Sequence, residues 1–164
     1  MSVLKQKRTV SKAEYLNTAN EIFVQTLSFL TRMSTRYARL LAEPVAALAG
    51  EVMDLTEKAN SIYPSDPERK ALRKAHLLEA RASLMALDVR LTHCYIILSQ
   101  NTQGCFSDCK GQAAPKGPAG KKTKGISAEE AVLRLDKMAQ KLGELIDQEN
   151  ELIGKVIESD KKRK

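Results

Sequence analysis

Two histidines, three cysteines and several runs of lysine and arginine are the residues of this chain whose types and spacing bear on chemistry. His76 and His93 are the only histidines. A di-iron centre in a helical bundle needs Glu-x-x-His pairs on facing helices, and here Arg73 and Arg90 stand three residues before the histidines. The chain contains no GxSxG, no phosphate-binding loop, no GxGxxG and no HExxH. No constellation for catalysis is legible, and the expectation is a protein that is not an enzyme and needs no cofactor. Cys105 and Cys109, with Cys94 and His93, supply four ligand types that zinc accepts. Against zinc, His93 and Cys94 are adjacent and point about 100° apart on a helix, and Cys94 falls on an apolar stripe where a buried thiol is ordinary. No metal is expected.

The cations are more informative. Arg69, Lys70, Arg73 and Lys74 recur at spacings that place them on adjoining strips of one helix, Arg32, Arg36 and Arg39 cluster further upstream, and Lys5, Lys7, Arg8 and Lys12 form a basic arm. Repeated cations suit a phosphate backbone, because each neutralised phosphate releases counterions. A solvated face of mixed charge is the plainer explanation, and Glu68 and Glu79 lie beside the helical group. Aromatic residues do not interleave with the cations, so backbone and shape, rather than base stacking, are the expected mode of contact.

The elements that must carry these residues are helices. Aromatics make up 4% of 164 residues and tryptophan is absent, so the apolar material is mainly Leu, Ala, Val and Ile. One domain is expected at this length. The net charge is +7, and the pI near 9.4 is compatible with a polyanionic partner. An odd cysteine count without an export signal predicts reduced thiols in a cytoplasmic protein. No apolar run approaches the roughly 20 residues of a membrane span, so no membrane-spanning helix is expected.

The longest element follows Asn60-Ser61-Ile62-Tyr63-Pro64-Ser65-Asp66-Pro67-Glu68. Pro64 stops the preceding helix, Ser65 and Glu68 form a capping box, and Pro67 suits a first turn. Leu77, Ala80, Leu84, Leu87, Leu91, Cys94 and Leu98 then alternate at three and four, the seam of a bundle helix from Asp66 to about Gln100. Such a rod is roughly 50 Å long, and only helices of similar length can pack along it. Helix one opens at a box of Ser11 and Glu14, runs to about Met33, and carries Leu16, Asn20, Phe23, Leu27 and Leu30. Helix two is firm from Pro44 to Ser61, with Leu41, Val45, Leu48, Val52, Leu55, Ala59 and Ile62 in its stripe. Helix four opens at Ser127 and Glu130, carries Val132, Leu135, Ala139, Leu142, Ile146, Ile153 and Val156, and ends near Ser159.

The predicted fold is all-α: an up-down-up-down four-helix bundle over residues 11–160, with a basic arm at 1–10 and a basic tail at 161–164. Residues 101–126 hold five lysines, five glycines and two prolines, and are expected to be a flexible basic insert between helices three and four. Second apolar strips on helix one (Tyr15, Ile22, Phe29), helix three (Leu78, Met85, Val89) and helix four (Met138, Leu145, Leu152) suggest either wide core faces or a subunit interface.

The run Lys5-Gln6-Lys7-Arg8, then Ser11-Lys12-Ala13-Glu14, then Ala59-Asn60-Ser61-Ile62-Tyr63-Pro64 and the helix opening Glu68-Arg69 resembles the accessory variability determinant of diversity-generating retroelements. That resemblance covers mainly residues 5–100. It implies a small basic four-helix bundle that forms a barrel-like homo-oligomer, a pentamer in the characterised case. It also implies partners: a reverse transcriptase and its template RNA, with support of mutagenic complementary-DNA synthesis and no catalysis by the subunit itself. The cations in the matching segments are Lys5, Lys7, Arg8, Arg69, Lys70, Arg73 and Lys74, and these are the expected nucleic-acid contacts. The lysine-rich insert and the basic tail depart from the family pattern. The rival readings are a helical protein–protein adaptor and a DNA-mobilisation accessory protein that binds no RNA.

Overall fold

The computed structural model describes residues 13–102, 104–109 and 125–162. Four helices account for nearly all of them: α1 (Glu14–Arg32), α2 (Thr35–Ser61), α3 (Pro67–Ser99) and α4 (Ala128–Lys162). Among the described residues there is no strand, only two isolated bridges, Met33 with Phe106 and Cys109 with Ile126. Each helix packs on its neighbours in the chain, and α4 closes the ring against α1.

The seams of α2, α3 and α4 bury the residues that their spacing selects, including Val45, Val52 and Ala59, Leu77, Leu84 and Leu98, and Leu135, Ile146 and Ile153. On α1 the expectation is corrected. Leu16 and Leu30 are buried as expected, but between them the buried line is Tyr15, Ala19, Ile22, Thr26 and Phe29, followed by the capping residue Met33, while Asn20 is exposed and Phe23 and Leu27 are half-buried. Tyr15, Ile22 and Phe29 therefore fill the monomer core and offer nothing to another subunit. Both phases contain a run of apolar residues at helical spacing, and the choice between them is made by what packs opposite, which periodicity alone does not encode.

Local signals set most helix ends. Asp66, rather than Ser65, caps α3: its Oδ1 accepts from the Arg69 N–H at 2.9 Å, and the Ser65 hydroxyl donates to its Oδ2 at 3.0 Å. Asp66, directly before Pro67, holds the N-cap position. At α4 the Glu130 N–H donates to Ser127 Oγ at 3.2 Å, but the Glu130 carboxylate accepts from Arg134 instead of closing the box. Ser11 lies outside the described residues. α2 begins well before Pro44, which sits inside it. Pro44 is exposed and Leu40, four residues earlier, is 70% exposed, so the carbonyl that proline leaves without its helical partner lies on the wet side, where water replaces the lost bond.

The expectation of a wholly flexible segment at 101–126 is corrected for its first part. Phe106 is 1% exposed and Cys105, Cys109 and Ile126 are buried with it in the larger core cluster. Backbone bonds tie this loop across the turn between α1 and α2: Ser34 N–H to Cys105 O at 2.9 Å and Ser107 N–H to Arg32 O at 3.0 Å. One aromatic ring, unremarkable in composition, is enough to seat the loop. The five lysines of the segment lie outside the described residues.

α3 also departs from the expectation about membranes. By length and composition it is apolar enough to cross one, although only 22% of that stretch is buried in the bundle. Its leucine seam explains part of this; the rest comes from apolar residues on the opposite, outward face.

Candidate nucleic-acid interface

The start of α3 and the end of α4 meet at one end of the bundle, and most of the described expected contacts are there. Arg73 falls in register with the leucine seam, four residues before Leu77, and so turns inward: it is 9% exposed. Its Nε donates to Asp160 Oδ2 at 2.6 Å, its Nη1 to the carbonyls of Ala59 at 2.7 Å and Ile62 at 3.1 Å, and its Nη2 to the Tyr15 hydroxyl at 3.5 Å. That hydroxyl donates onward to Asn60 Oδ1 at 3.1 Å. One guanidinium thus joins the ends of all four helices. Burial raises the Tyr15 pKa above the usual phenol value, while the charge and hydrogen bond of Arg73 oppose the rise. The planar fork suits such a node, and its donors are directed to protein acceptors rather than toward a phosphate. Arg73 is separated on this geometry from the three cations around it.

Arg69, Lys70 and Lys74 lie on the outer side of the same turns. Arg69 is exposed and held by Asp66 Oδ2 at 3.4 Å and Ser65 Oγ at 3.2 Å. Lys70 and Lys74, with Lys161, line a cleft of about 260 Å³ between α3 and α4, floored by Leu77 and Ile157 with Asp160 at its edge. Three lysines and one aspartate line this cleft. Glu158, hydrogen-bonded by Lys161 and near Lys162 and Lys74, has its carboxyl held below its ordinary pKa by these cations, Lys161 first. Lys161 and Lys162 belong to the predicted basic tail, but α4 continues through them, so they project from a helix. Lys5, Lys7 and Arg8 lie outside the described residues.

Arg32, Arg36 and Arg39 are exposed, near the end of α1 and the start of α2. Arg32 joins Lys137 and Lys141 in a second basic groove of about 210 Å³ between α1 and α4, with Lys141 paired to Glu21 at 3.1 Å. The grouping across helices was not legible from local spacing.

The sulfur residues form no metal site: among the described residues no group of three or more His, Cys, Asp or Glu side chains is placed to hold an ion. The Cys105 and Cys109 thiols both donate to the Thr102 carbonyl, at 3.2 and 3.4 Å. Burial, with Cys109 beside it, pushes the Cys105 thiol up to about 12, which leaves it inert rather than nucleophilic. Cys94 is buried on the α3 seam as its position predicts.

The interior holds one further ionisable group that the sequence reading passed over. Glu149 is 0% exposed, and neither carboxyl oxygen has a hydrogen-bond partner among the described residues. Burial raises its pKa to about 8. It stands between Ile146 in one core cluster and Ile153 in the other. The signal that finds it is a missing tooth: the α4 stripe steps from Ile146 to Ile153, and the intervening seam position is Glu149.

The fold and this end of the molecule define a basic all-helical bundle. Comparison with family models, with curated proteins and with solved structures gives no match.

Proposed function

We propose that this chain is a non-catalytic, cytoplasmic accessory subunit with an up-down-up-down four-helix body that binds structured template RNA and a reverse transcriptase. It acts as a homo-oligomer in the manner of the accessory proteins of diversity-generating retroelements. The observation that carries the reading is the cleft at the α3–α4 end, where Lys70, Lys74 and Lys161 converge from two helices, with Arg69 beside them and Lys162 one residue further along α4. Cations from separate elements at one rigid end make a phosphate-binding surface of fixed geometry, and the basic segment at Lys5–Arg8 precedes α1, whose Tyr15 sits at this same end. The up-down order accords with bonds joining the start of α1 to the end of α2 through Tyr15 and Asn60, and α3 to α4 through Arg81–Asn150 and Tyr95–Asp136. An adaptor that binds protein through the outward face of α3 is the second reading, and the apolar character of that face favours it.

RNA affinity is expected to fall steeply with salt, with a slope of about 0.7–0.9 per phosphate neutralised. The combined variant Arg69→Glu, Lys70→Glu and Lys74→Glu is expected to keep its helix content and weaken binding at least tenfold in a filter or fluorescence titration at fixed salt. Arg73 is left intact in that variant, because its role in the core would confound the measurement. Undiminished affinity removes the cleft from the interface, and salt-independent or undetectable binding favours the adaptor.

A further inference from the structure

The face of α3 opposite its leucine seam carries a second, unbroken heptad pattern. Ala71, Ala75, Leu78, Ala82, Met85, Val89, Thr92 and Ile96 alternate at four and three, and all eight are exposed: Leu78 46%, Met85 40%, Val89 53% and Ile96 46%. An isolated exposed leucine is unremarkable. A seam of roughly 3.5 heptads, about 38 Å long, is the pattern by which one helix packs along another. Among the described residues nothing covers it: its apolar side chains are exposed, and α3 packs on α2 and α4.

We propose that this face pairs antiparallel with the same face of a second copy of the chain, about a two-fold axis that passes between Ala82 and Met85. The sizes of the seam residues select this arrangement. Reversing the strip on itself sets Ala71 against Ile96, Ala75 against Thr92, Leu78 against Val89 and Ala82 against Met85. Three of the four layers then place an alanine opposite a larger side chain, and the fourth joins two mid-sized ones, so the helices run at an even separation. A parallel pair would stack alanine on alanine at one end and isoleucine on isoleucine at the other. Charge agrees: the antiparallel register brings Arg81 of each copy to Asp88 of the other on the flank of the seam. Arg81 is already oriented by a bond from its Nε to Asn150 Oδ1 at 2.7 Å, which uses neither terminal nitrogen. Opposite charges beside an apolar seam set orientation and partner choice. The contact is isologous, so it closes on itself.

This rests on the homo-oligomer of the proposed function, puts a two-fold dimer in place of the barrel-like ring that the resemblance implies, and leaves the RNA part separate. The test uses two full-length variants, Ala75→Cys and Thr92→Cys, each at an exposed position whose replacement does not touch the core. Mixed and mildly oxidised, they are expected to give a cross-linked dimer joined at 75 and 92, while each variant alone gives no such product, because the two copies of either residue lie about 25 Å apart along the axis. Cross-linking of each variant to itself overturns the antiparallel register. In parallel, Met85→Glu with Val89→Glu is expected to convert the native dimer to monomer in sedimentation, with helix content and RNA binding unchanged. A native monomer at micromolar concentration overturns self-pairing outright and leaves a different protein as the occupant. A larger ring that yields no 75–92 cross-link overturns this pairing but not the homo-oligomer, and loss of RNA binding in the cleft variant alone speaks only to the phosphate surface.

Discussion

Glu149→Met is expected to make the protein more stable at pH 8 by several kcal/mol, and to flatten the pH dependence of stability. The native carboxyl is buried without a partner, so the folded state holds it protonated. Its pKa is raised to about 8 by burial, against an ordinary value of 4.5. Below pH 4.5 the group is neutral in both states and costs nothing in ionisation. Between pH 4.5 and about 8 the unfolded chain gives up the proton and the folded chain does not, so stability falls as pH rises. The slope is about 1.4 kcal/mol per pH unit, and the full loss is on the order of 5 kcal/mol. Above about pH 8 both states are ionised and the loss levels off. Methionine is similar in length, has no charge to desolvate and adapts to an irregular site. Urea unfolding of both proteins from pH 5 to 9 reads the effect directly. The difference between the two curves isolates Glu149 from every other titrating group. A difference that does not grow between pH 5 and 8 would show that the carboxyl has found a partner or water.

Arg73→Met is expected to have the opposite effect, a loss of about 3–5 kcal/mol. The guanidinium is the shared partner of Asp160, two backbone carbonyls at the end of α2, and Tyr15. Its removal takes the Arg73 charge away from a buried carboxylate and one donor from each of two carbonyls, of which Ala59 keeps the Ile62 N–H at 3.3 Å, and buried groups that lose a partner cost more than the pair itself contributes. Arg73→Lys is expected to recover little, because a single ammonium cannot span acceptors on two helices. The double variant Arg73→Met with Asp160→Leu is expected to regain most of the loss, since both charges leave together. Denaturant midpoints for the two single variants and the double close a cycle whose coupling term measures the pair. Loss of RNA affinity in Arg73→Met that exceeds its unfolded fraction would instead give this arginine a direct part in binding.

The two residues with the largest expected effects share a feature of sequence. Both occupy seam positions, Arg73 four residues before Leu77 and Glu149 between Ile146 and Ile153, and both break an otherwise apolar repeat. A charge at a seam position is visible in the sequence. Whether it meets a partner is not, because Asp160 lies 87 residues from Arg73 in the chain, while no residue of any helix comes within hydrogen-bonding reach of Glu149 among the described residues. The same limit applied to α1, where two apolar phases competed and the facing helices selected Tyr15, Ile22 and Phe29 for the core.

What the sequence determined alone was local and periodic: four helices, the Asp66–Pro67 start of α3, the Ser127 cap of α4, and the seams of α2, α3 and α4. These follow from hydrogen bonds and spacings that close within a few residues, so no distant information enters. Tertiary structure decided which of the expected cations face water and which are spent inside, seated Phe106 and its loop against the bundle, and left one apolar face of α3 uncovered. Those outcomes depend on which side chains meet across helices, and pairing between distant segments is set by the packing of the whole bundle rather than by any stretch of it.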